Sequence, residues 1–148
     1  MRLPPTTLLR LLIVCFRPLN TGLRGQTFVS VVDPGVGSSR RSVVALTKTG
    51  QYIVTPDNGT LSYIKKVVGI VAVREISEVE NRRSNTELSY TFHGRDVYAY
   101  TGAKLASGHI SFEEVIREID VELEIAHDGK LVPEFLLMDA ARTASQFL

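Results

Sequence analysis

Residues 27–44 read TFVSVVDPGVGSSRRSVV. An apolar, β-branched run enters this stretch and a second one leaves it. Between them lies a loop with one proline and two glycines. Residues 28–32 show no regular polar alternation, the pattern of a strand covered on both faces, as in a parallel or mixed sheet. Residues 33–39 turn by composition, and Asp33 stands at the mouth of the strand. Arg40 and Arg41 follow: either one turns into the site and the other outward, or both are solvated. Far downstream, residues 89–100 read SYTFHGRDVYAY and bring His93, Gly94, Arg95 and Asp96 to the end of another strand-like run.

Working outward, residues 42–47 and 52–55 are β-rich and read as a hairpin across the turn 48–51. PDNG at 56–59 is a further turn, after which Thr60 is positioned to cap a helix over 61–68. Residues 71–76 read as a strand, and 78–87 as a charged surface loop or short helix. Asp96 is placed as the cap of a helical segment over 97–107 that Gly108 ends. Ser111 opens a short helix over 112–116 with Glu114 in the capping-box position. A half-exposed strand begins with Val121, Leu123 and Ile125, and helical patterns cover 6–16 and 136–148. Strands interleaved with helices predict an α/β fold: a mixed, mostly parallel sheet sandwiched by helices. Ligands of such sheets bind at the carboxyl ends of strands. DPGVGSSR follows a strand there, and PDNG and HGRD are further polar, glycine-containing loops of the same kind.

The chain of 148 residues is 44% hydrophobic and 22% charged, enough for one domain with a real core. Its net charge of +1 gives no electrostatic case for nucleic acid or an anionic membrane as partner. The single cysteine, Cys15, permits no internal disulfide, and no Cys/His spacing suits zinc. A reducing, cytoplasmic setting is the expectation. The apolar run at 8–16 is too short to span a bilayer, and no small-residue cleavage site follows it.

Each candidate residue also has a plain reading. Asp33 before a proline commonly bonds nearby backbone N–H groups. A lone histidine beside an apolar stretch is commonly structural, although its pKa suits proton transfer. Arg95 and Asp96 fit an ion pair as well as a cap, with the cap preferred. Gly35 and Gly37 allow positive φ and close backbone approach to a ligand, but the loop is neither a Walker A loop nor GxGxxG. Tyr52, Tyr63, Tyr98 and Tyr100 read as packing residues.

Taken together, VVDPGVGSSRRSVV, TPDNGTLS and TFHGRDVYAYTGAKLASG resemble the S-adenosyl-L-methionine hydroxide adenosyltransferases, relatives of the fluorinase and chlorinase that use water in place of halide. The likeness covers residues 25–124. It implies an Asp–Arg–His catalytic triad falling on Asp33, Arg40 and His93, with Asp33, Gly35 and Val36 meeting the substrate. It further implies hydrolysis of S-adenosyl-L-methionine to adenosine and L-methionine, with no cofactor and no metal, in a homotrimer where the full fold is present. The family's opening strand motif, whose acid grips the ribose, does not precede Asp33. Of its C-terminal β-domain only VELEI is recognisable. Residues 1–119 are thus expected to form a partial N-terminal domain, and 120–148 the start or replacement of the second. An inactive remnant with a partial nucleoside pocket and a non-enzymatic assembly module are the alternatives.

Overall fold

A computed structural model describes residues 23–33, 35–86, 91–115 and 117–119 of the chain. The expected helices at 6–16 and 136–148 and the strand from Val121 lie outside the described residues. β1 (Thr27–Val29), β2 (Ser42–Thr47), β3 (Tyr52–Pro56), β4 (Ile70–Glu75) and β5 (Arg117–Ile119) form a sheet in the order β1-β3-β2-β4-β5. β2 and β3 form the expected hairpin. Its turn closes with the Gln51 N–H donating to Thr47 Oγ1 at 3.0 Å, and Gly50 takes φ +83°, where a side chain would be strained.

Side chains alternate between two cores. Val43, Ala45, Ile53 and Val73 point to one face, where they pack with Leu61 and Ile64 of the segment around α1 (Ser62–Val67). Val44, Val54 and Leu46 point to the other, where they meet Val97, Tyr98, Leu105, Phe112 and Val115. That face is covered by a π-helical turn (Gly94–Ala99) running into α2 (Tyr100–Ala106). The chain is therefore a mixed α/β fold with the sheet between helices, as expected.

Strand direction differs from the expectation of a mostly parallel sheet. Among the described residues only β1–β3 is parallel, whereas β2–β3, β2–β4 and β4–β5 are antiparallel. An unbroken apolar run records burial on both faces, and antiparallel strands satisfy it equally when helices cover both sides. β1 is also shorter than its apolar run. The Ser30 N–H still donates to the Val54 carbonyl at 3.0 Å, and Val31 then leaves the strand to pack against the helical side.

Three predicted caps resolve differently. α1 begins at Ser62, so Leu61 rather than Thr60 holds the cap position and the helix has no side-chain cap, while the Thr60 hydroxyl donates to Asn58 Oδ1 at 2.7 Å. Asp96 lies inside the π-helical turn rather than ahead of a helix. Its carboxylate accepts from Arg95 Nε at 2.6 Å and Nη2 at 3.0 Å, which is the ion-pair reading. Residues 111–115 are turns, although half of the capping box forms, the Ser111 N–H donating to Glu114 Oε2 at 2.7 Å. Gly108 ends α2 with φ +69°, as expected.

Gly102 lets α2 lie directly on β1: a Cβ there would stand 2.5 Å from Val29 Cγ2. Gly102→Ala gains helix propensity but overpacks against a stiff β-branched side chain, so a net loss of about 1–2 kcal/mol is expected. Denaturant melts should register that loss, and Val29→Ala in the same chain should recover part of it. A Gly102→Ala chain as stable as the parent would remove this close contact from the account.

Candidate active site at one end of the sheet

The strand polarity gathers the loops. β1 and β3 end at the edge where β2 begins, since Ser42 pairs with Pro56, and β4 ends there too, since Val43 pairs with Glu75. The segments that follow β1, β3 and β4, and the one that precedes β2, therefore emerge together. They carry Asp33, Asp57 and Asn58, Glu78 and Arg82, and Arg40 and Arg41. The π-helical turn adds His93 from the helical layer, immediately before Gly94.

Arg40 joins the two other predicted catalytic residues. Its Nε donates to both Asp33 oxygens at 3.0 Å, and its Nη2 donates to Asp33 Oδ2 at 2.5 Å. The same Nη2 lies 3.0 Å from His93 Nδ1. The side chains of Arg40 and Asp33 are only 7% and 5% exposed, so the ion pair is largely withdrawn from water. The third guanidinium nitrogen, Nη1, donates to Ser42 Oγ at 2.9 Å and reaches Glu78 Oε1 at 3.5 Å. Tyr98 supports the group from below, its ring centroid 5.5 Å from Arg40 Cζ.

The loop holding Asp33 is two successive turns. The Val36 N–H donates to the Asp33 carbonyl, and the Ser38 N–H donates to that of Gly35. Of the two glycines, Gly37 takes the positive φ, +76°. Gly35 is needed for space instead, since a Cβ there would meet Ser38 Oγ at 3.2 Å and approach Arg40 and Asp33. Val36 is exposed beside them.

Arg41 does not simply face outward. Its Nη2 donates to Asp57 Oδ2 at 2.5 Å, which ties the PDNG turn to the start of β2. Asn58 ties the same turn to the site, its Nδ2 donating to the Val32 carbonyl at 2.9 Å, one residue before Asp33. Thr60 orients that amide by donating to its oxygen. PDNG thus works as a brace beneath Asp33.

Four participants escaped the sequence reading. Ser42, Tyr98, Glu78 and Arg82 complete a network around Arg40 and His93. Ser42 Oγ donates to Glu78 Oε1 at 2.5 Å and lies 2.8 Å from the Tyr98 hydroxyl. Arg82 Nη2 lies 3.1 Å from His93 Nε2 and 3.6 Å from Glu78 Oε2. A usable signal existed: Glu78 and Arg82 stand four apart just beyond a strand, and Ser42 is a lone hydroxyl opening an apolar run.

The electrostatics follow from this packing. Burial lowers the His93 pKa below its ordinary 6.5, and Arg40 and Arg82 lower it further against the opposing pull of Glu78 and Asp33. Burial also works against the Arg40 charge, but the Asp33 hydrogen bond and nearby acidic groups outweigh it and raise its pKa. Burial pushes the Tyr98 phenol up as well, so it stays a hydroxyl. A neutral imidazole and an ionised Asp–Arg pair thus share one small volume, an arrangement able to orient water and accept its proton. Among the described residues no group of three or more His, Cys, Asp or Glu side chains is placed to hold a metal ion. No helix among them is long and apolar enough to cross a membrane.

Residues 16–116 match the family described as the SAM hydroxide adenosyltransferase N-terminal domain. The chain belongs to this family. An (R)-S-adenosyl-L-methionine hydrolase of Methanocaldococcus jannaschii is 47% identical over 77 residues, covering 52% of this chain and 27% of that protein. A protein of the same name from Thermus thermophilus is 37% identical over 117 residues, covering 72% of this chain and 43% of that protein. The chain spans less than half the length of these curated relatives. Among solved structures, an uncharacterised conserved protein from Thermotoga maritima aligns with a TM-score of 0.73 at 35% identity, over 83% of this chain and 46% of that one. The matched adenosyltransferase region contains every side chain of the network just described.

Two measurements bear on this geometry. Because the folded pKa of His93 is depressed, the unfolded chain binds the extra proton between that lowered value and 6.5. Its contribution to stability is intact above pH 6.5 and falls as pH drops through the window below. Imidazole titration by NMR should place His93 below the ordinary value, and His93→Gln should flatten the acid side of the stability profile. A His93 titrating at or above 6.5 would contradict the burial and the flanking arginines. Separately, Asn58→Ala strips the Val32 carbonyl of its donor and should cost about 1 kcal/mol in urea denaturation. An unchanged midpoint would show that the brace carries no weight.

Proposed function

We propose that the chain supplies the water-activating wall of an enzyme that hydrolyses S-adenosyl-L-methionine to adenosine and L-methionine. The observation that carries this reading is the fastening of both Asp33 and His93 to the buried Arg40 at the loop end of the sheet. The names of the relatives give the substrate class.

In the proposed step, a water oxygen attacks the ribose C5′ while the C5′–S bond breaks. The sulfonium sulfur takes the bonding pair and leaves as neutral methionine. Adenosine, methionine and one proton result, so no cofactor or Lewis acid is called for. Asp33 orients the water and takes its proton, with the neutral His93 beside it. Every nitrogen of Arg40 already has a partner, so its charge steadies Asp33 and the developing hydroxide through the carboxylate rather than by direct contact. Gly35 and Val36 form the rim that meets the nucleoside. Residues 1–119 serve as the N-terminal domain and 120–148 as the start or replacement of the second, with a cytoplasmic homotrimer as the assembly.

The test is direct. The purified chain is incubated with the (R) and (S) sulfonium forms separately, beside one of the longer relatives, and products are separated by chromatography. Adenosine release is expected, falling at least about 100-fold in Asp33→Ala and in His93→Ala. Adenosine binding by calorimetry without turnover would leave a nucleoside-binding remnant. Neither binding nor turnover, with the relative active, would sink the proposal.

A further inference from the structure

Glu78 has no place in the proposed step, yet it lies against Arg40, Ser42, Arg82 and His93. It lies in the loop after β4 and is held from one side by Ser42 and from the other by Arg82. The donors and acceptors can be counted. A serine hydroxyl has one proton and two acceptor lone pairs. Ser42 spends its proton on Glu78 Oε1 and accepts from Arg40 Nη1, so the remaining neighbour, the Tyr98 hydroxyl, must donate to it. Glu78 is then the terminal acceptor of a chain running from Tyr98 through Ser42, and Arg40 is locked into that chain.

The imidazole imposes a second constraint. A neutral ring has one N–H and one acceptor nitrogen, yet guanidinium nitrogens lie 3.0 Å from Nδ1 and 3.1 Å from Nε2. Only one arginine can donate to it. Arg40 is fixed by Asp33 and Ser42 and so keeps Nδ1 as the acceptor, which leaves the proton on Nε2, facing Arg82. That contact is unfavourable on its own. The Glu78 carboxylate relieves it, with Oε2 3.8 Å from His93 Nε2 and 3.6 Å from Arg82 Nη2.

We propose that Glu78 is a positioning residue of this site: its carboxylate holds Arg40 through Ser42 and, lying beside both His93 Nε2 and Arg82, offsets the arginine's charge and so selects the Nε2–H tautomer of His93. Without the carboxylate charge, Arg82 donates to Nε2, the proton moves to Nδ1, and the His93–Arg40 contact is lost. The charged groups facing His93 among the described residues are Asp33 after β1, Arg40 before β2, and Glu78 and Arg82 after β4. Of the last three, only Glu78 favours the charged imidazole, so its removal also moves the ring's titration to lower pH.

The inference rests on reading Asp33, Arg40 and His93 as the site, but its test does not require turnover. Nitrogen-15 spectra of the histidine-labelled full chain report tautomer and titration together, and His93→Gln assigns the His93 signals against His109 and His127. The parent chain should show a neutral Nε2–H ring. Glu78→Gln keeps the shape and the acceptor for Ser42 but loses the charge. It should raise the Nδ1–H share severalfold and lower the titration midpoint. Glu78→Asp should restore the parent tautomer. An Nδ1–H ring in the parent overturns the proposal whatever the variants do. So does a Glu78→Gln spectrum identical to the parent, since a merely structural glutamate would leave both readouts in place.

Discussion

The buried Arg40–Asp33 pair is the constraint on which the rest of this end of the molecule depends. A guanidinium and a carboxylate withdrawn from water lose several kcal/mol of hydration each, and their attraction repays it only when the remaining donors and acceptors are satisfied. Here they are. Ser42, Glu78 and His93 take what Asp33 leaves of Arg40, and the face of Tyr98 lies beneath it. Each partner comes from a different segment of the chain, so the pair acts as a knot between loops far apart in sequence. Removing either half would leave an uncompensated charge, far more costly than the net worth of the pair.

That knot explains the local sequence. Gly35 keeps the loop thin enough for Arg40 to fold back over Asp33. Arg41 and Asn58 draw PDNG under the same loop, fixing the backbone that delivers Asp33. The π-helical turn begins immediately after His93 and packs Val97 and Tyr98 on the sheet. Ring and phenol thereby approach Arg40 from the helical layer. Adding a residue to a turn at such a place is a familiar way of aiming side chains into a site.

How much of this was legible follows from the range of each interaction. The hairpin, the two-faced burial, the strand before Asp33 and the end of α2 at Gly108 are written locally, in periodicity and turn residues. The convergence of Asp33, Arg40 and His93 was reached only through the likeness of three separated motifs, because no local rule places residue 93 beside residue 33. Strand direction was misread because burial on both faces carries no information about polarity. Thr60 and Asp96 each had the chemistry of a cap but not the place: the helix after Thr60 starts one residue too late for it, and Asp96 lies inside the π-helical turn, where Arg95 takes its carboxylate. Glu78 was passed over as surface because a charged loop reads as solvated until its partners are known.

The charge balance of the network suits the proposed substrate. Arg40 and Arg82 carry two positive charges, Asp33 and Glu78 two negative ones, and His93 is held neutral by its burial and by the arginines. S-adenosyl-L-methionine brings a cationic sulfonium, which a site dominated by its arginines would repel at low local dielectric. A wall with Asp33 alone against two arginines would have that fault. With Glu78 the wall is neutral overall, yet its arginines stay turned towards acidic partners within the protein. In the proposed step the Asp33 carboxylate meets the incoming water, while the sulfonium charge is neutralised as the C5′–S bond breaks. Two arginines near a sulfonium substrate are thus compatible with the proposed chemistry because a second carboxylate lies among them.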